Sequence, residues 1–250
     1  MVDLKANDAI EGLVWDIWNE PDMAHTYWAR GQQRWIDLYI RTRKIFEDKV
    51  DRVEISGPSL SGRPVPGNNW WSNWLAHTSC DRQININEYA NVGEQNPAGT
   101  AWWISHLERY NAIGLHGNWL SKLSLHDLLA NLLTRTSDPH NYNATDYAAA
   151  PEFQVYKYYN LNMTGSRVKT SGSSDRLFDI YATVDEGKVR ILSGARITPG
   201  NWQVTVNKLS TVGFSSQGPV NIQTWSFEGK SVGKRSMLRR TMGRLAQVLG

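Results

Sequence analysis

A single cysteine, Cys80, stands among the 250 residues, so no intrachain disulfide can brace the fold. A buried or incidental thiol is the expected state of that residue. The six histidines fall at no metal-ligand spacing with cysteine or carboxylates, so neither a metal nor a cofactor is expected. No stretch approaches the roughly 18 consecutive apolar residues of a membrane span. A Gly-x-Ser-x-Gly elbow is missing, which disfavours a serine hydrolase. Neither glycine-rich phosphate-loop pattern occurs, which disfavours a nucleotide-binding protein. Met1 to Glu11 has neither the basic start nor the apolar stretch of a secretory signal, so no signal peptide is expected there.

Acid is missing from the end of the chain. Beyond Glu228 come Lys230, Lys234, Arg235, Arg239, Arg240 and Arg244, with no Asp or Glu. Without those six cations the net charge falls from +3 to −3, so the body is mildly acidic. Binding to nucleic acid is not indicated for the whole protein. Phenylalanine is also scarce, with 5 copies against 12 tryptophans. Tryptophan carries a polar N–H and is rarely fully buried, so the excess suggests flat aromatic platforms as well as ordinary core packing.

What the chain does contain is a pair of similar segments. Val14-Trp15-Asp16-Ile17-Trp18-Asn19-Glu20-Pro21 and Ile84-Asn85-Ile86-Asn87-Glu88-Tyr89-Ala90 each read as an apolar strand ending in Asn-Glu. Two carboxylates at strand ends are the minimum equipment for cleaving a glycosidic bond, one to protonate the leaving oxygen and one to attack or activate water.

Around them, strand and helix signals alternate. Strands are expected at Val14 to Trp18, Arg52 to Ser56, Gln83 to Glu88 and Gly114 to Trp119. Helices are expected at Tyr27 to Val50, Trp70 to His77, Thr100 to Tyr110, Ser124 to Thr134 and Pro151 to Tyr159, with a loop from Gly62 to Asn69. Successive strand–helix units argue for parallel strands with right-handed crossovers, whose functional ends are the C-terminal ones. From Ser166 the pattern changes to short strands at Arg167 to Thr170, Leu177 to Thr183, Lys188 to Ser193, Gln203 to Lys208 and Val220 to Trp225. The expected fold class is therefore α/β: a partial (β/α)8 barrel over 1–160, then a small antiparallel β-sandwich over 166–228. The basic tail, 229–250, has Leu238, Met242, Leu245 and Leu249 at helical spacing and is expected to be helical or disordered. A surface- or partner-binding helix there is one functional alternative.

The strand-end Asn19-Glu20-Pro21, with its flanking Trp15-Asp16-Ile17-Trp18, and the later strand-end Glu88 resemble the paired signatures of clan A glycoside hydrolases, in particular fungal barrel glycosidases with a C-terminal β-domain. The resemblance covers residues 1 to about 228. It implies a retaining O-glycosyl hydrolase on a (β/α)8 barrel, with Glu20 as acid/base and Glu88 as nucleophile. It also implies that Asn19 hydrogen-bonds the sugar 2-hydroxyl and that Trp119 is a sugar platform. Trp70 and Trp71 would line outer subsites. The implied partner is an oligo- or polysaccharide, and the implied location is extracellular. Two sequons, Asn143-Ala144-Thr145 and Asn162-Met163-Thr164, accord with secretion. The barrel is expected to be incomplete, because only 13 residues precede Val14 and one strand–helix unit is missing between Glu20 and Glu88. A catalytically inactive carbohydrate-binding remnant is the alternative reading.

Overall fold

A computed structural model describes residues 6–7, 13–50, 54–62, 66–78, 84–116, 132–135, 141, 143, 145–185, 187–215, 219–227, 238–242 and 246–247. The chain divides into two compact units, Met1–Asn87 with Asn111–Gly114, and Glu88–Tyr110 with Leu115–Gly250. The division falls inside a strand, at Glu88.

The first unit is built on a strand–helix–strand motif. Strand β1 (Val14–Asp16) pairs in parallel with β2 (Glu54–Ser56), and helix α1 (Gln32–Lys49) connects them. The helix begins later than the expected Tyr27. Residues 24–27 form a turn, and the Trp28 indole N–H donates to the Gly31 carbonyl at the helix entrance. Helix α2 (Asn69–Thr78) packs on α1. Trp35, Ile36, Tyr39, Ile55 and Trp74 form the core, with Ile17, Trp28, Ile40, Phe46 and Trp70 packed around it. Five of these ten side chains are Trp or Tyr, and they meet edge-on or tilted, as between Tyr39 and Trp74 at 5.9 Å and 78°. Much of the tryptophan excess is thus core in this unit.

Strand β3 (Asn85–Tyr89) pairs with β4 (Ile113–His116), with the Ile113 N–H donating to the Ile84 carbonyl. Among the described residues the strands form small sheets, none of which closes into a barrel.

In the second unit, helix α3 (Pro97–Arg109) opens with Asn96 accepting from the Gly99 N–H and Pro97 in the first turn. Proline suits that position because its missing N–H has no intrahelical role there. Strands β5 (Leu133–Arg135) and β6 (Tyr147–Ala149) pair antiparallel and lead into helix α4 (Pro151–Asn162). The expected helix ending at Thr134 is corrected at that end, since Leu133–Arg135 is a strand tied to β6. Residues 124–131 lie outside the described residues.

Strands β7 (Ser166–Arg167), β8 (Phe178–Asp185) and β9 (Lys188–Ala195) then form an antiparallel sheet, and α3 packs on β8 and β9. The core joins Ala101, Ile104, Val155, Met163, Tyr181 and Leu192. The expected strand at Gln203 to Lys208 joins no ladder among the described residues, and Lys208 at its end takes a left-handed backbone conformation, with φ of 59°. Strands β10 (Pro219–Val220), β11 (Gln223–Phe227), β12 (Leu238–Met242) and β13 (Ala246–Gln247) complete the unit. Strand β12 pairs antiparallel with β11, and β13 with β10. The described part of the basic tail is therefore strand, not the helix that the leucine spacing suggests.

Candidate active site

The best-defined candidate site is the turn that follows β1. The β1–β2 ladder holds a constant offset of forty residues: Val14 opposite Glu54, Trp15 opposite Ile55 and Asp16 opposite Ser56. The same offset reappears at a parallel bridge between Asn19 and Ser59. Between those points the two segments leave the ladder and rejoin it. Glu20 then takes a left-handed backbone conformation, with φ of 45°, and buried Pro21 follows. A non-glycine residue in that conformation persists only where its surroundings hold it.

Ser59 supplies much of that hold. Its carbonyl accepts the Glu20 N–H at 2.7 Å, and its hydroxyl donates to the Asp16 carboxylate. The other Asp16 oxygen accepts the Trp18 N–H at 3.3 Å. Burial pushes the Asp16 carboxyl up from 3.8 to about 6, and the Trp18 N–H offsets part of the rise. On the far side, Asp22 accepts the N–H groups of Ser61 at 2.9 Å and Gly62 at 2.7 Å. The Glu20 carbonyl accepts the Met23 N–H at 3.0 Å. Residues 16–22 are thus laced to 59–62 at both ends. Glu20 is half-buried and Asn19 exposed.

An aromatic surface adjoins the turn. Trp18 is 40 % exposed, its indole N–H donates to the Tyr27 carbonyl at 3.0 Å, and its ring meets Trp28 edge-on at 5.1 Å. Met23 and Tyr27 are exposed beside it in sequence. The two tryptophans expected in outer subsites are packed rather than exposed. Trp71 is 8 % exposed and donates its indole N–H to the Gly62 carbonyl at 2.6 Å, so it buttresses the loop and leaves little face for a sugar. Trp70 is half-buried against Trp35 at 6.0 Å. Trp119 lies outside the described residues.

Glu88 is in β3, near its end, and belongs to the second unit. Its chain neighbour Tyr89 is buried, with its hydroxyl 2.7 Å from that of Tyr156 and its ring 5.1 Å from Trp103 and 5.3 Å from His116. Burial raises both phenols, and the nearby Glu152 raises Tyr156 further, so both stay protonated. The division inside β3 thus assigns Glu20 and its surroundings to one unit and Glu88 to the other.

Three residues of the turn were not singled out from the sequence. Asp16 had a signal, being a carboxylate inside an apolar run, which needs a partner once buried. Asp22 and Ser59 had none, since Ser59 meets Asp16 across 43 residues of chain. Elsewhere, a groove of about 670 Å³ runs beside the β8–β9 sheet, lined by Phe178, Ile180, Val189 and Val204, with Lys169 and Lys208 as its charged residues. It has no carboxylate and cannot supply an acid/base pair. Among the described residues no group of His, Cys, Asp and Glu is placed to hold a metal ion, and no helix is long and apolar enough to cross a membrane. In comparisons with known proteins, the chain matches no family model, no curated protein and no solved structure.

Proposed function

We propose that the chain is an O-glycosyl hydrolase of retaining mechanism acting on an oligo- or polysaccharide, with its two carboxylates carried on a partial (β/α)8 barrel. Glu20 serves as acid/base and Glu88 as nucleophile. Glu20 protonates the glycosidic oxygen as Glu88 attacks the anomeric carbon, releasing the leaving sugar and forming a glycosyl ester. Glu20 then takes a proton from water as the water attacks the anomeric carbon, which frees Glu88. Asn19 orients the 2-hydroxyl. An extracellular location goes with this reading.

The observation that carries the proposal is the setting of Glu20. A half-buried carboxylate follows a parallel strand pair, on a left-handed residue whose backbone is hydrogen-bonded to the neighbouring segment at Ser59. Loop ends of parallel strands are where such folds place reacting groups. The exposed Trp18 edge next to it offers an aromatic surface for a pyranose.

The test is turnover. Glu20→Gln and Glu88→Ala are each expected to lower kcat/KM by about 10²–10⁴-fold, with proton NMR of the first product showing retained anomeric configuration. Full activity in either variant defeats the assignment. In an experimental structure, a carboxyl separation of about 5–5.5 Å is expected, and about 6.5–9.5 Å would indicate inversion.

A further inference from the structure

Asp16 has no assigned role, yet it is a carboxylate inside the lacing of the Glu20 turn. Its two oxygens have different duties. One accepts the Trp18 N–H within the turn, and the other accepts the hydroxyl of Ser59 on the neighbouring segment. Ser59 is 3 % exposed, and its carbonyl accepts the Glu20 N–H at 2.7 Å. One small buried residue therefore connects Asp16 by its side chain to Glu20 by its backbone. Below it, the Ser56 hydroxyl reaches the Trp15 carbonyl at 3.4 Å and accepts from the Asn85 amide at 3.2 Å, which continues the polar seam. Among the described residues, the charged residues nearest this seam in sequence are Glu20 and Asp22 on the same turn and Glu54, exposed, at the start of β2.

The left-handed conformation at Glu20 makes the connection consequential. An L-residue at φ of 45° relaxes toward negative φ when its tethers are released. Such a rotation re-aims the side chain of that residue. General acid catalysis needs the carboxyl within hydrogen-bond reach of the glycosidic oxygen, and misplacement by about 1 Å costs up to ~10²-fold.

We infer that Asp16 is a positioning residue for the acid/base Glu20, acting through the Ser59 hydroxyl to hold the Glu20 backbone in its left-handed turn. This rests on the glycosidase reading for its catalytic consequence, but the structural coupling stands on the hydrogen bonds alone.

The experiment uses the full chain with Asp16→Ala, Asp16→Asn and Ser59→Ala. The first readout is the backbone amide resonance of Glu20 in an assigned ¹H–¹⁵N spectrum. It is expected to move in Asp16→Ala and Ser59→Ala and to stay near its wild-type position in Asp16→Asn, whose amide can still bond Ser59. The second is kcat/KM on two glycosides of the same sugar, one with phenol and one with 2,4-dinitrophenol as leaving group. Phenol needs protonation to leave and dinitrophenol does not. Asp16→Ala is expected to lose about 10–100-fold on the phenyl glycoside and within about threefold on the dinitrophenyl one, with Asp16→Asn recovering most of the loss. Equal losses on both substrates, or an unmoved Glu20 amide, overturn the inference. Should Asp16→Ala not fold, Ser59→Ala decides, since it keeps the backbone carbonyl. Absence of wild-type hydrolysis on any glycoside would fail the glycosidase reading instead, and the amide readout would still decide the coupling.

Discussion

At the scale of single residues, Asp16 and Trp18 show how one turn can combine a half-buried carboxyl with an exposed ring. The Asp16 carboxyl is raised from 3.8 to about 6, so across that interval the folded chain keeps a proton that the unfolded chain has lost. Its contribution to stability is therefore greatest at low pH, declines as pH rises through the interval, and is an unfavourable charge burial above about 6. Solvent screening of a partly exposed group keeps the swing to about 1–2 kcal/mol. Asp16→Asn is expected to flatten the stability profile between about pH 4 and 6 and to leave the protein at least as stable at neutral pH. Urea unfolding at a series of pH values reads this directly, and an unchanged slope would mean that the carboxyl is not raised. Trp18 makes the complementary case. It is anchored by its indole N–H and by Trp28, yet 40 % exposed. On the proposed glycosidase reading, Trp18→Ala should weaken oligosaccharide binding about tenfold, or ~1.4 kcal/mol, without lowering the melting temperature greatly. Calorimetric titration showing unaltered affinity would remove Trp18 from the binding surface.

Among the elements, α3 shows best what holds the second unit together. Two ion pairs tie its ends to the sheet. Glu94, just before the helix, pairs with Arg196 after β9, and Arg109 in the last turn pairs with Asp179 on β8. Arg196 also lies over Trp102 at 4.9 Å, and His106 adds a contact to Asp179 at 3.0 Å. Glu94 and Asp179 are almost wholly buried, so removing one partner strands the other. Asp179→Ala is expected to cost about 3–5 kcal/mol. Between the two pairs, a Cβ on Gly194 would come within 2.2 Å of the Ala98 carbonyl oxygen and 2.3 Å of the Trp102 nitrogen. Gly194→Ala must therefore push helix and sheet apart, at about 1–3 kcal/mol, which differential scanning calorimetry would register as a clear fall in melting temperature. Such elements were largely legible in the sequence. Helix α3 has proline in its first turn and asparagine before it, and α2 carries its tryptophans at helical spacing. The lower-order features were not. Val204 and Val206 alternate as in a strand, yet both are exposed, and alternation does not by itself supply a partner strand hydrogen-bonded beside it. The spacing of Leu238 and Met242 fits a helix, yet pairing with β11 prevails, because intrinsic propensity is a weak preference that tertiary hydrogen bonding overrides. Glu20 could be picked from its motif, but its left-handed backbone and the Ser59 tether could not, since both depend on residues roughly forty positions away.

For the molecule as a whole, the two compact units have separate cores, one centred on Trp35 and Trp74 and the other on Val155 and Leu192. Cores that share no side chain give separate cooperative transitions unless the units are strongly coupled, and departure from two-state behaviour is expected here. Ile36→Ala removes a buried side chain from the first core and Leu192→Ala from the second, each at about 2–5 kcal/mol. Each should lower one calorimetric transition and leave the other in place. The proposed reaction adds a second constraint, because Glu20 belongs to the first unit and Glu88 to the second. Catalysis by that pair requires both units folded at once, so hydrolytic activity should disappear at the lower of the two transitions, whichever unit it belongs to. Ile36→Ala and Leu192→Ala then become a test of the pairing itself. If activity follows the lower transition in both variants, the two carboxylates work together. If it follows one unit alone, the chemistry resides there, and the partner of Glu20 or of Glu88 must be sought within that unit.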